Sequence, residues 1–521
     1  MVLGAVLAAA LLSAISIPLD RPGVGWLIGV LAGTAALGVA VWSARSSAVT
    51  GAPEQRAVTG TPGERAVTGA PEQRARTGVP TLTAARLIWT VATVALVGVG
   101  TVRAAGWLFV LCLLTAGMTA ALAVADGRST RGLLLSLLIP PVAVFRSVPW
   151  AATGLGRRQP AAAATLDATP DATPEARPVH AGRVLGTVAV SIGLLVVFGA
   201  LFASADPAFA RLLSQLLPEA SLADTVRWSF LTCAVGAGLL GAAYVLTRPP
   251  DLTGLDGREP RRVHRWEWAV PVLLLDLLFA MFVLVQVTVL FGGDDHVVRT
   301  SGLTYAEYAR GGFWQLLVVS ALTLGVLAGA ARWAPRAGRT DQLLIRVLLG
   351  FLALLSLVVV ASALCRMNVY TEAYGASRLR LLVTVCELWI GLLFVLVLAA
   401  GVRLRAAWLA RVALGGAVLA LLGLAAVNPD RLIADQNIAR YEQTGRLDIW
   451  YLSQLSADAA PALDRLPGPL RDCALVDIAQ RLGSDDWREA NSGRAAARRL
   501  LAANPVTPVG YGDCADGRSW R

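Results

Sequence analysis

Long apolar runs separated by short polar segments dominate this chain. A helix that crosses a bilayer needs about 20 mostly apolar residues. By that measure eleven runs read as spans: Met1–Ile17, Val24–Trp42, Leu87–Val102, Ala105–Val124, Val184–Ala203, Trp228–Thr247, Trp268–Phe291, Phe313–Ala331, Leu343–Leu364, Leu381–Ala400 and Ala407–Val427. The first lacks a basic lead and runs almost directly into the second, so the two read as a hairpin rather than as a signal peptide. Gly132–Val144 is apolar but contains Pro140 and Pro141. A run of that length usually re-enters or lies in the interface, and it is left out of the count. If it spans, every later side assignment flips.

After Val427 the pattern turns soluble. Asn428-Pro429 opens a helix with a cap residue and a proline in the first turn. Helices are expected at Asp430–Gln443, Leu447–Gln454, Ala459–Leu466, Leu470–Leu482 and Ser484–Ala503, with Gly445, Pro467-Gly468 and Gly483 at the turns. The expected architecture is an all-α membrane bundle of about eleven spans carrying a small helical C-terminal domain. It divides into an N-terminal hairpin (1–42), a linker (43–83), a polytopic domain (84–427) and the tail (428–521). Residues 48–80 repeat AVTGAPEQR with small variations. A Thr/Gly/Pro/Glu repeat cannot bury a core and is expected to be disordered, as is the Ala/Pro/Thr-rich loop 154–181.

Composition agrees. Of 521 residues, 56% are hydrophobic and 16% charged, which excludes a large soluble enzyme. The net charge is +11, and all 46 basic residues are arginine. Their distribution sets a topology. Loops 43–86, 125–183, 248–265, 332–346 and 402–411 hold 25 arginines, and the alternate loops hold 9. The positive-inside rule then puts the N-terminus in the cytoplasm and the tail outside a plasma membrane. Lipid is the expected surrounding, a lipid or protein partner on the outer face is open, and no nucleic-acid surface is indicated.

Two acids sit inside apolar runs, Asp276 and Glu387, with Gln286 nearly three turns beyond Asp276 on the same face. Charge at such depth is expensive and usually faces a bundle interior. The acids read either as structural partners, in an interhelical hydrogen bond or an ion pair with Arg378 or Arg380, or as a proton- or ion-coupled site or a ligand anchor. Polar and aromatic residues gather in the expected outer loops: Asp206, Asp294, Asp295, Tyr305, Glu307, Tyr308, Arg310, Arg366, Tyr370, Glu372, Tyr374, Arg378 and Arg380. They read as an interfacial belt or as one outer site. In the second case Arg310, Arg366, Arg378 and Arg380 should approach Glu307 or Glu372, because an unpaired guanidinium beside hydrocarbon is costly. Asp294-Asp295-His296 does not make a metal site, since three consecutive side chains diverge. No P-loop, GxSxG elbow, HExxH or Rossmann fingerprint is present, so no cofactor is expected.

Cys112, Cys233, Cys365 and Cys386 fall in spans or at their ends, whereas Cys473 and Cys514 share the tail. In an oxidising compartment these two are expected to bridge. The bridge would close a loop of about 42 residues and contribute about 4 kcal/mol.

Four phrases carry a resemblance: LFASADPAF (201–209), YAEYARGGFWQLL (305–317), RMNVYTEAYGASRLR (366–380) and the tail opening NPDRLIADQNIARYEQTGRLDIWYLSQLSADAAPAL (428–463). Over roughly residues 84–500 the chain resembles bacterial multi-pass membrane proteins known as domain of unknown function 4173, with 4153 as the related label. The tail's DWREANSGRAAARRLL is similar to the family's segment, with Ala490 in place of an expected tryptophan. The resemblance implies a polytopic helical protein and supplies no activity. From the residues, the favoured class is a non-enzymatic receptor or transport-associated protein binding a ligand or partner outside. The alternatives are a membrane-embedded enzyme acting on a lipid-linked or envelope substrate, and an ion-coupled transporter.

Overall fold

The structure is a computed structural model that describes residues 1–50, 83–125, 147, 222–247, 264–291, 313–335, 338–403, 408–507 and 514. The described part is helical, with no strand. Among the described residues ten helices form the apolar part: α1 (Val2–Ser16), α2 (Val24–Thr50), α3 (Ala84–Val102), α4 (Gly106–Ala125), α5 (Leu222–Thr247), α6 (Arg265–Phe291), α7 (Phe313–Trp333), α8 (Arg339–Tyr374), α9 (Arg378–Arg403) and α10 (Leu409–Val427). All but α1 are long and apolar enough to cross a membrane. At 15 residues, α1 is about 22 Å long, short of the roughly 30 Å hydrocarbon layer. The expected span Val184–Ala203, the ambiguous run Gly132–Val144 and the repeat and loop segments 51–82 and 154–181 lie outside the described residues.

The helices pack in two groups. In the first, α1 lies along α2 and α5, α2 touches α3 and α5, and α3 and α4 pair closely. In the second, the long α8 is the axis: α6, α7 and α9 all pack against it. α10 joins the groups by contacting α3, α4 and α9. Each helix turns one stripe inward, as a 3.6-residue period requires. On α7 that stripe is Leu316, Ser320, Thr323, Leu327 and Ala330.

Helix ends alternate between two faces. Arg227, near the start of α5, donates to the Ile17 carbonyl just past α1 (2.9 Å). Val41 of α2 meets the ends of α4 and α5 towards the opposite face in one apolar cluster with Val124, Ala125, Ala242, Val245 and Leu246. At that far face Arg265 also pairs with Asp341 (2.5 Å).

The tail domain comprises α11 (Pro429–Thr444), α12 (Ile449–Ser453), α13 (Ala460–Leu463), α14 (Gly468–Leu482) and α15 (Ser492–Ala503). Its core holds Ile433, Leu452, Leu455, Leu463, Leu475 and Ile478. The expected continuous helix Ser484–Ala503 is instead split. Asn491 adopts extended backbone and its side chain accepts from the Arg494 N–H, so it starts a new helix, as N-cap chemistry favours.

The α1–α2 hairpin depends on a close approach. A Cβ on Gly25 would overlap the Ser16 carbonyl oxygen and crowd Pro18. Gly38, further along α2, has nothing within 4 Å of that position. Gly25→Ala should therefore cost about 1–3 kcal/mol of thermal stability. Gly38→Ala should cost nothing or stabilise slightly. Melting curves of the two full-length variants check the contrast.

Candidate functional site at the junction of bundle and tail

Ends of membrane helices leave backbone N–H and C=O groups without helical partners. At one face of this bundle the tail domain supplies the partners. Asn428 ends α10 in the left-handed region (φ 60°), and Pro429 starts α11 at once. This tight reversal puts Asp430 in the first turn of α11, directly over the bundle.

Asp430 is fully buried. Its carboxylate takes a two-pronged contact from Arg378 at the start of α9, Nε to Oδ1 at 2.9 Å and an Nη to Oδ2 at 2.6 Å. Trp107 of α4 donates its indole N–H to Oδ1 (3.1 Å), and the Ser456 backbone N–H reaches Oδ2 (2.8 Å). The Arg378 backbone N–H donates to the Tyr451 hydroxyl (2.7 Å). Asp458 works beside it: its Oδ2 accepts from the backbone N–H groups of Ala104 (2.7 Å) and Ala105 (3.1 Å), capping α4 from another domain.

Carbonyl ends are served the same way. Asn491 donates to Gly100 and Arg103 at the end of α3. Arg440 donates to Glu372 and Ala373 at the end of α8. Arg103 turns to the last carbonyls of α10, Ala425 and Ala426. Arg494 holds Pro22 in the α1–α2 turn while pairing with Asp485.

Of the sequence-predicted outer residues, Arg366, Tyr370, Glu372, Tyr374, Arg378 and Arg380 are described, and Asp206, Asp294, Asp295, Tyr305, Glu307, Tyr308 and Arg310 lie outside the described residues. The described arginines do not meet Glu372 as expected. Arg378 takes Asp430, a carboxylate from the tail, and Arg366 donates to Gln286 (2.8 Å). Arg380 lies over the Tyr370 ring at 4.2 Å and donates to the Gly375 carbonyl. The Tyr370 and Tyr374 rings meet at a tilt of 57°, their centroids 5.0 Å apart. Glu372 is exposed and accepts from Asn368 one turn earlier (2.7 Å). The physical reason is burial: Asp430 sits where a guanidinium must be matched, and Glu372 sits in solvent.

Asp276 and Glu387 point into protein, being 2% and 1% exposed. Among the described residues neither carboxylate has a hydrogen-bond partner. Gln286 also accepts from Ser362 (3.1 Å). Cys473 and Cys514 stand with their sulfurs within bonding distance and Cα atoms 5.7 Å apart. Sequence reasoning missed Asp430, Asp458, Trp107, Asn491 and Arg494. The available signal was an acid directly after the last apolar run, in Asn-Pro-Asp.

Burial alone would raise the Asp430 carboxyl, but Arg378 and Ser456 hold it below the usual carboxylate range. Its stabilisation is complete above the unfolded value of about 3.9 and is lost as pH falls through the folded value. Asp458 has the opposite sign: burial, with Asp430 nearby, holds it above the usual range despite the Ala104 and Ala105 N–H groups. The Asp430 share is therefore the difference between the protein and Asp430→Asn. Acidification should release the tail to protease in the unaltered protein, with that increment absent in Asp430→Asn. At neutral pH, Arg378→Ala leaves a buried carboxylate without its cation and should cost about 3–5 kcal/mol, measured by thermal unfolding.

No curated protein and no solved structure matches the chain. The family model described as domain of unknown function (DUF4153) matches residues 91–466. That range takes in Trp107, Arg378, Asp430 and Asp458, and leaves out the α1–α2 hairpin, Asn491 and Arg494. With most of its length matched and its long apolar helices suited to a bilayer, this integral membrane protein belongs to the DUF4153 family.

Proposed function

We propose that the protein is a non-enzymatic receptor or transport-associated protein of the plasma membrane, which binds a ligand or partner through its tail domain on the extracytoplasmic side. The observation that carries this reading is the buried Asp430–Arg378 pair. It ties the tail rigidly to α9 and, through Trp107, to α4. Force or strain applied to such a domain passes directly into the membrane helices, which is what a receptor or an accessory of a transporter needs.

The side assignment has its own support. The loops that meet the tail, 17–23, 103–105 and 375–377, belong to the arginine-poor set, and Arg265 and Arg339 sit at the far face. By the positive-inside rule the tail face is the outer one. In that compartment Cys473 and Cys514 would form a disulfide.

Alkaline phosphatase fused after Val427 should be active, and fusions after Arg45 or Arg262 inactive; the reverse pattern would overturn the orientation. Non-reducing peptide mapping of protein from its native envelope should recover Cys473 joined to Cys514. Two free, alkylatable thiols would remove the bridge and count against an external tail. Native mass spectrometry of the full-length protein addresses the class: a stoichiometric lipid-linked sugar retained through purification would favour the enzyme or a lipid binder over a protein-partner receptor.

A further inference from the structure

The second helix group contains a polar seam that the tail does not explain. Every helix in it places polar side chains in its inward stripe. On α6 the stripe is Trp268, Val272, Asp276 and Phe279, and on α9 it is Val383, Glu387, Ile390 and Phe394. α7 contributes Ser320 and Thr323, and α8 contributes Ser356. The apolar members of these stripes, Val383 apart, form one continuous cluster around α8.

Contacts between the helices set the levels. Gly391 of α9 lies against Val360 of α8, its Cβ position 3.3 Å from the valine Cγ1. Glu387, one turn nearer the tail, is thus roughly level with Gln286, which bonds Ser362 and Arg366. Asp276 is ten residues before Gln286, about 15 Å further from the tail face. Arg265 and Asp341 close the seam at the far face.

Among the described residues no charge is placed to neutralise Asp276. α7 has no titratable group before Arg332, and α8 has none between Arg346 and Cys365. α6 itself offers none but Asp276 between Glu267 and the end of the helix. Near Glu387 the titratable groups are Cys386 beside it and Cys365 and Arg366 on α8, with Arg366 engaged by Gln286. All four carboxylate oxygens, and the Ser320 hydroxyl, lack a hydrogen-bond partner among the described residues. An unpaired carboxylate in hydrocarbon is far too costly to persist as the anion.

We propose that Asp276 and Glu387 are proton-binding sites of the membrane bundle, carried as neutral carboxylic acids while the seam is closed. When the helices part and admit water, the carboxyl O–H breaks, its electron pair stays on the carboxylate, and the proton passes to water. The backbone provides the give. Pro271 interrupts the hydrogen-bond ladder of α6 a little more than one turn before Asp276, and Ile345–Leu349 of α8 forms a π-turn that packs on α6. Both features weaken or bend helices locally. This inference does not depend on the role given to the tail.

Full-length protein in phosphatidylcholine vesicles, treated with dicyclohexylcarbodiimide, tests it, because that apolar reagent attacks protonated carboxyls in hydrocarbon. Peptide mass mapping should find adducts on Asp276 and Glu387 at neutral pH, falling at least tenfold as pH is raised. Infrared spectra should show a deuterium-sensitive carboxylic carbonyl band that diminishes in Asp276→Asn and again in Glu387→Gln. Absence of both adducts, with a band unchanged by either replacement, would overturn the proposal. An adduct yield independent of pH would overturn proton exchange, and failure at one residue would remove that residue. The labelling uses the unaltered protein, so it remains decisive even if a variant does not fold.

Discussion

Backbone groups at helix ends are the constraint around which this molecule is organised. A bilayer-spanning helix satisfies its own interior, but its last turns emerge with up to four unpaired groups each. Short turns such as 103–105 between α3 and α4 are too brief to satisfy them locally. The tail domain does so instead, with acids placed at helix starts and amides or guanidinium groups at helix ends. Asp458 on α4 and Arg440 on α8 follow the charge preference of the helix dipole. The tail is thus the missing outer layer of the bundle as much as a separate domain.

Asp430 shows why this layer is specific as well as adhesive. Its two oxygens receive Arg378, Trp107 and Ser456, donors from α9, α4 and the tail itself. A buried charge pair adds little over an apolar contact when complete and is expensive when broken. The cost of misplacement is what fixes the register: any shift of the tail by one turn leaves both charges buried without a partner. The Gly375 turn adds a steric check, because at φ 85° a Cβ there would also collide with the Asn437 side chain that binds Ala376.

Much of the fold was legible in the sequence, because hydrocarbon thickness writes itself into run length. Val24–Trp42, Trp268–Phe291 and Leu381–Ala400 each predicted a helix the structure contains. The inward orientation of Asp276 and Glu387 followed from the same energetics. The junction was not legible, since its partners are remote in sequence: Asp458 and Ala104 are 354 residues apart. Local reasoning paired arginines with the nearest acids, and nothing along the chain says that Glu372 faces solvent while Asp430 is sealed in. The split of the last tail helix was hidden for a related reason. Asn491 breaks the helix because its amide is claimed by α3, a contact invisible to helical periodicity.

The α3–α4 pair and the group around α8 handle polarity differently, and the difference has a mechanical meaning. In the α3–α4 pair the buried hydroxyls are paired, Thr93 with Thr119 at 2.8 Å and each with its own helix backbone. Such a seam has nothing to gain by opening. Around α8, by contrast, Ser320, Asp276 and Glu387 are buried without partners among the described residues, and every one of them would gain hydrogen bonds from admitted water. Burial of unsatisfied groups raises the energy of the closed arrangement by about 1–3 kcal/mol for each neutral group, which brings an open arrangement within reach. The tail grips α9 through Arg378 and the end of α8 through Arg440, the two helices that meet beside Glu387. The two helices that border Glu387 are therefore anchored to the tail at their tail-side ends, and separating them there would break those contacts.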